Sequence, residues 1–337
     1  MKFDNIILKN NIYIKGMINI ITVKDVKDAR ERIYDIAHET PILLSEQLSK
    51  RCGNQIFLKS EHLQKTGSFK IRGATNNVKQ AIQKGAKHVT TASSGNHGQA
   101  VSYVAKKYDI PATIVVPENI NNSKLNAIQA YNGHVEKCGT TSAERLPRAK
   151  EIAVENNGVY IAPYDDPYTI AGQGTVGLEI LEQVNKIDAI VVPIGGGGLL
   201  SGILTAVKET NPNIQVIGVE PELANDTYLS IQNKKITPIT GTTTIADGLR
   251  SNQPGDLTFP IIMKYLDDLI LVSEDEIRYA FSFVLERMKQ LIEPSSATTI
   301  AAVMFNKLNQ KGKNIVTVIS GGNVDIGNIQ ELLLTSN

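Results

Sequence analysis

Val191-Val192-Pro193-Ile194-Gly195-Gly196-Gly197-Gly198-Leu199-Leu200-Ser201-Gly202 reads as an apolar strand, four consecutive glycines and the start of a helix. Strand, bare turn and helix make one βα unit of an open α/β sheet. Four peptide units without side chains at a helix N-terminus form a nest of N–H groups, and the helix dipole adds to its pull on an anion. A purely structural βα turn is the competing reading, but such a turn usually needs one or two glycines. The run has no G-x-G-x-x-G spacing and no lysine directly after it. Dinucleotide and nucleoside triphosphate readings are thereby weakened, and a simple phosphate is favoured.

Upstream, Lys65-Thr66-Gly67-Ser68-Phe69-Lys70-Ile71-Arg72-Gly73-Ala74 supplies a lysine at a tight turn entering a helix. Ser68 is placed to cap a helix beginning at Phe69, with Lys70 in its first turn. The positive end of the helix dipole and the burial of Phe69 both disfavour an ammonium there. A neutral amine is what an aldehyde needs to form a Schiff base. Taken alone, Lys70 reads as a solvated surface lysine. Taken with the glycine run, it answers the second need of a phosphate-tailed aldehyde, pyridoxal 5′-phosphate (PLP).

Other candidate residues sit just after strands, where open α/β sheets bind ligands. Thr91-Ala92-Ser93-Ser94-Gly95-Asn96-His97 leads from a strand into a helix. Ser93 and Ser94, with the turn amides through Gly95 and His97, could grip a substrate carboxylate, and Asn96 could donate to a phenolate oxygen. An ordinary capped loop explains the same residues. Ser320, in Ile319-Ser320-Gly321-Gly322-Asn323, could meet a ring nitrogen or sit in a plain turn. Glu220 and Asp226 flank Pro221–Asn225. Two carboxylates in one loop can share a hard cation with main-chain carbonyls, although solvated loop acids are commoner.

The whole chain fits this frame. Its 337 residues are enough for a sizeable core, in two expected domains. It is 42% hydrophobic and 20% charged, with a net charge of +1. Nothing draws it toward nucleic acid or a membrane surface. No run approaches ~20 uninterrupted apolar residues, so no transmembrane span is expected. Cys52 and Cys138 make no disulfide framework, and a reducing cytoplasm fits. Residues 1–18 read as a loose N-terminal extension, with Met17 an alternative start. They show neither a secretory nor a mitochondrial pattern.

Strand and helix patterns alternate along the chain, predicting an α/β fold with mostly parallel strands. Strands are expected at Gln55–Lys59, His88–Ala92, Ala112–Val116, His134–Cys138, Ala189–Pro193, Gln215–Glu220, Asp268–Val272 and Ile315–Ser320. Helices are expected between them, with Ser123 and Ser142 as N-caps and Ser273 with Glu276 as a capping box. Residues 85–165 form a compact run of βα units. The predicted division is a small domain at 85–165 within a large one at 19–84 and 166–337.

Together these segments resemble the fold type II PLP enzymes, in the branch of serine racemases and serine/threonine dehydratases. The likeness runs from about Val23 to Gln330. It includes the lysine and glycine motifs, Ser-Ser-Gly-Asn-His-Gly-Gln-Ala (93–100), Ala-Gly-Gln-Gly-Thr (171–175), Ile-Ala-Asp-Gly (245–248), Ile-Glu-Pro (292–294) and Ser-Gly-Gly-Asn-Val-Asp (320–325). The resemblance implies a tryptophan synthase β-like fold of two open twisted sheets flanked by helices, and a homodimer. It implies that Phe69 and Lys70 hold PLP and that Lys70 is the base on one face of the substrate Cα. Ser94 aligns with the acid/base of the opposite face in serine racemases. Asn96 would contact the PLP hydroxyl, Gly195, Gly196, Gly197, Gly198 and Leu199 its phosphate, and Ser320 its ring nitrogen. Glu220, the carbonyl of Ala224, and Asp226 match the racemase cation site, suited to Mg²⁺, Ca²⁺ or Mn²⁺.

The nucleotide-effector residues of animal serine racemases are partly present. Ser45, Lys65, Thr66, Gln99, Tyr131, Lys289 and Asn323 match, while Glu46 stands in place of a second serine. Tyr164 stands where those racemases have asparagine, and Tyr164-Asp165-Asp166-Pro167 looks more like the dehydratases. The implied activity is dehydration of L-threonine and L-serine to a 2-oxo acid and ammonia, with serine racemisation on the same site. The nearest rival is 3-hydroxyaspartate dehydration, which a second cation near Ser94 would favour. From another class, a non-catalytic PLP carrier or ligand sensor would not need Lys70, Ser94 and Asn96 all intact.

Overall fold

The computed structural model describes residues 21–120 and 122–333, so the extension expected over residues 1–18 lies outside the described residues. Among these, ten strands form two sheets. They are β1 (Ile42–Leu44), β2 (Gln55–Ser60), β3 (Val89–Thr91), β4 (Ala112–Val116), β5 (His134–Lys137), β6 (Val159–Tyr160), β7 (Ala189–Pro193), β8 (Gln215–Pro221), β9 (Asp268–Val272) and β10 (Asn314–Ile319). The larger sheet has the order β1-β2-β10-β7-β8-β9, and the smaller β5-β4-β3-β6. All pairings are parallel except β1 with β2.

The central strands of the larger sheet, β10, β7 and β8, are buried on both faces, as parallel strands covered by helices are, while the antiparallel edge strand β1 is not. Alternate residues supply two separate cores. Ile190, Val192, Val216, Val316 and Val318 face one layer with Leu200, Ile203 and Leu204. Ala189, Val191, Ile217, Val219 and Ile315 face the other with Phe281 and Ile300. A third core joins the smaller sheet to the helices Lys70–Gln83 and Asn96–Lys107 through Val89, Ile114, Ile71, Val78 and Val104.

Three helix starts differ from those expected. The lysine helix begins at Lys70 with Phe69 as N-cap, and the hydroxyl of Ser68 is buried without a hydrogen-bond partner among the described residues. Ser123 lies inside a helix that starts at Asn122 rather than capping it. Thr141, not Ser142, caps the next helix, because Thr141 pairs with Glu144 in a capping box. The box of Ser273 with Glu276 is present.

Candidate active site

Three neighbouring strands of the larger sheet, β2, β10 and β7, end on the same side. The chain beyond β2 carries Lys70, the residue after β10 is Ser320, and the loop after β7 is the tetraglycine. In the smaller sheet, β3 leads into Ser93–His97 and its neighbour β6 into Pro163 and Tyr164. An antiparallel bridge between Ser68 and Gly321 and a bond from Phe69 N to Ser320 O (3.0 Å) lock the lysine turn to the end of β10.

Lys70 Nζ donates to the carbonyl of Pro163 at 2.8 Å. Burial lowers its pKa to about 8, against the opposing pull of Glu293. The amine therefore stays mostly protonated at neutral pH but loses its proton far more readily than an ordinary lysine, which brings the neutral form that a nucleophile or base needs within reach. Asn96 Nδ2 donates to both carboxyl oxygens of Glu293, at 3.1 and 2.9 Å, while its Oδ1 accepts from Asn323 Nδ2 at 2.8 Å. The Asn96 carboxamide is thereby held in one orientation. Burial raises Glu293 to about 7, partly offset by the Asn96 bond. His97 is buried, with Nε2 3.0 Å from Ile161 O. Burial and then Lys70 lower its pKa to about 3, so its ring is neutral. The buried ring leaves the backbone amide as the part of His97 available to a ligand.

Gly197 is the N-cap of the helix Gly198–Lys208 and has φ 89°, a conformation that only glycine adopts without strain. The amides of Gly195, Gly196 and Gly197 have no acceptor among the described residues. A Cβ on Gly196 would lie 2.4 Å from the Tyr164 ring, and one on Gly198 would lie 2.6 Å from Gln173 Oε1. Glycine is thus required at these positions by side chains packed against the loop, and the free amides remain for a phosphate. Leu199, in the first turn, is buried. Ser320 is buried with its hydroxyl 3.1 Å from Ser296 Oγ, a neutral neighbour for a ring nitrogen. Amine, phosphate nest and neutral hydroxyl together fit PLP. Ser93, Ser94 and Gly95 lie half-buried immediately before the helix Asn96–Lys107.

Glu220 lies one residue before the end of β8 and is buried, its oxygens accepting from Thr227 N (3.0 Å) and Tyr228 N (2.9 Å). Asp226 is buried too. Ser251 donates to its Oδ2 at 3.0 Å, and its Oδ1 has no partner among the described residues. Burial raises both pKa values, and for Glu220 the nearby Asp226 raises it further. Ala224 is buried in the turn between them. Two buried acids and an unused oxygen, with no cation paired to them among the described residues, are a donor set that fits a hard cation. The described residues contain no cluster of three or more metal-ligating side chains, so carbonyl or water oxygens would have to complete the shell.

Several contributors had weak sequence signals. Glu293 precedes a proline that starts a helix, and its partner Asn96 is 197 residues away. Gln173 stood only within a glycine motif. Arg72, two residues beyond Lys70, is buried with both nitrogens of its fork on Glu61 (2.8 and 2.9 Å) and two bonds to Glu179 (2.5 and 2.8 Å). Lys59 reaches Glu179 at 2.5 Å, giving a neutral four-charge cluster that ties β2, the lysine helix and the helix Pro167–Gln183 together.

A family model described as "Pyridoxal-phosphate dependent enzyme" matches residues 33–321. Serine racemase of Dictyostelium discoideum is 46% identical over 321 residues, covering 93% of this chain and 98% of the relative. L-threonine ammonia-lyase of Thermotoga maritima is 41% identical over 315 residues, covering 93% of this chain and 78% of the relative. Among solved structures, maize serine racemase matches with a TM-score of 0.89 at 39% identity, over 93% of this chain and 96% of that one.

Proposed function

This chain belongs to the pyridoxal-phosphate dependent enzymes, and on that premise we propose that it dehydrates L-threonine and L-serine to a 2-oxo acid and ammonia, with serine racemisation as a partner activity. The observation that carries this reading is the Lys70 amine on the Pro163 carbonyl, which it shares with Gln173, itself packed against Gly198 of the glycine loop.

Lys70 holds the cofactor and then accepts the Cα proton of the substrate. The amides of Gly195 to Leu199 hold the phosphate, and Phe69 and Ser320 complete the cofactor's surroundings. When bound, PLP supplies an electron sink that stabilises negative charge at Cα. The hydroxyl of Ser320 is neutral and cannot protonate a ring nitrogen as a carboxylic acid would. A ring nitrogen left without a proton donor would make the cofactor a weaker electron sink, which would favour loss of a β-hydroxyl over transamination. Ser93, Gly95 and the His97 amide orient the substrate carboxylate. Asn96, held by Glu293 and Asn323, keeps one amide hydrogen for the cofactor hydroxyl. Ser94 returns a proton on the other Cα face when racemisation occurs instead.

A cation, Mg²⁺ or Ca²⁺, at Glu220, Ala224 O and Asp226 is part of the same proposal. So are a homodimer, a cytoplasmic location and the division into 85–165 within 19–84 and 166–337. 3-Hydroxyaspartate is the alternative substrate, and Arg145 is a candidate for the second cationic group it would need. Arg145, one turn into the helix at the carboxyl edge of the smaller sheet, has Nε and Nη1 buried with no partner among the described residues. Such a guanidinium suits a second carboxylate.

The test is one assay panel of L-serine, D-serine, L-threonine and 3-hydroxyaspartate, following both oxo acid and enantiomer. Oxo acid from L-threonine and L-serine is expected. Turnover of 3-hydroxyaspartate alone would transfer the reading to the second substrate. Absence of turnover on all four would overturn both.

A further inference from the structure

Gln173 is wholly buried between two close helix crossings. On one side Gly172 abuts the lysine helix, where a Cβ would lie 2.6 Å from Arg72 O. On the other Gly174 abuts Gly202 of the phosphate-loop helix, where a Cβ would lie 2.7 Å from Gly202 O. Its Nε2 donates to Pro163 O at 3.3 Å, the same carbonyl that accepts from Lys70 Nζ at 2.8 Å. Turning the carboxamide over would set two oxygens against each other, so this orientation is fixed. Its Oε1 has no partner among the described residues and lies against Gly198.

We propose that Gln173 is a positioning residue for Lys70, sharing the Pro163 carbonyl with the amine and taking it over when the amine is committed to the cofactor. This rests on Lys70 being the cofactor-bearing lysine. An amine that joins an aldehyde loses its hydrogens as water leaves and can no longer hold that carbonyl as an ammonium or free amine does. A carbonyl stripped of its donor inside a half-buried segment is costly. A carboxamide already 3.3 Å away replaces the donor with a small movement. Gln173 thus lowers the cost of releasing Lys70, and it does so from the helix that also touches the phosphate loop.

The test compares cofactor-free wild type with Gln173→Met, a variant of similar length that lacks the donor. Equilibrium dialysis with pyridoxal phosphate gives affinity, borohydride trapping gives the Lys70 label, and melting is followed with and without cofactor. The expected result is an affinity weakened about tenfold, from one buried carbonyl left without a donor. The cofactor-free melting temperature should stay near wild type, because Lys70 still covers Pro163, while the rise on adding cofactor shrinks. Unchanged affinity, or an equal melting loss in both forms, would make Gln173 merely structural. If the methionine variant does not fold, Gln173→Glu replaces it. A carboxyl donates only while protonated, so its affinity relative to wild type should fall as pH rises, and a pH-independent ratio overturns the proposal. Failure of the underlying reading looks different, since wild type itself would then carry no label on Lys70.

Discussion

Asn96 and Glu293 are joined by a two-pronged contact, in which one carboxamide nitrogen donates to both carboxyl oxygens at 3.1 and 2.9 Å. The contact links the helix after β3 to the helix after Ile292, and so ties the smaller sheet's end of the site to the larger one's. Its acid is not at ease there. Burial raises Glu293 from 4.5 to about 7.

Between those two values the folded chain holds a proton that the unfolded chain has released. Stability therefore falls as pH rises through the window, and the loss is complete above about 7. Glu293→Gln removes that titration and keeps an oxygen for Asn96. The melting temperature of the variant relative to wild type is expected to climb from pH 4.5 to 7 and then level off. A difference that does not change with pH would show that Glu293 is ionised throughout.

Lys70 titrates in the opposite sense. Its pKa is lowered from 10.5 to about 8, so the buried amine destabilises the cofactor-free fold at neutral pH, and the penalty disappears as pH rises from 8 to 10.5. Lys70→Met should therefore melt higher than wild type at pH 7 without cofactor, with the gap closing in alkali. The same variant should lose all turnover and any borohydride-fixed cofactor, because general-base loss alone costs ~10²–10⁴-fold. A variant that is less stable at every pH would contradict the placement of the amine.

The elements that carry chemistry were legible where chemistry constrains a short stretch of chain. The tetraglycine, the lysine turn and the strands Ala112–Val116, Ala189–Pro193 and Asp268–Val272 stand where their sequence puts them. What could not be read comes from partners brought together by the fold. Lys59, near the end of β2, and Glu61, just beyond it, alternate like surface charges, yet both are buried in one cluster with Arg72 and Glu179. Ser68 has the right type for a cap, but the helix begins only at Lys70 with Phe69 as N-cap, and Ser68 lies in a bridge to Gly321 with its hydroxyl unpartnered among the described residues. Strand β6 spans two residues, too few for any alternation to register.

Ser94→Ala should separate the two reactions of the proposed enzyme. Racemisation needs a proton donor on the Cα face opposite Lys70, whereas elimination from the L-substrate needs proton removal on one face only. Loss of one acid/base group is expected to lower racemisation by ~10²–10⁴-fold. L-threonine dehydration should fall far less. Parallel assays of D-serine formation and oxo-acid release decide it, and equal losses in both would end the two-face assignment.

The proposed cation at Glu220 and Asp226 should stabilise and activate without touching substrate. Asp226 follows β8, whereas Lys70 follows β2, and two strands, β10 and β7, lie between them in the sheet. Tyr164, whose ring lies against Gly196, has its pKa raised first by burial and then by Asp165 and Asp226. A cation that binds only the folded chain stabilises it by mass action. Exhaustive chelation is therefore expected to lower melting temperature and activity together, with Mg²⁺ or Ca²⁺ restoring both. Asp226→Ala should mimic chelation and no longer respond to it, because the carboxylate that the ion requires is gone. Unchanged melting and full activity after chelation would leave Glu220 and Asp226 as a buried acid pair that binds no ion, stabilised by Thr227, Tyr228 and Ser251 alone.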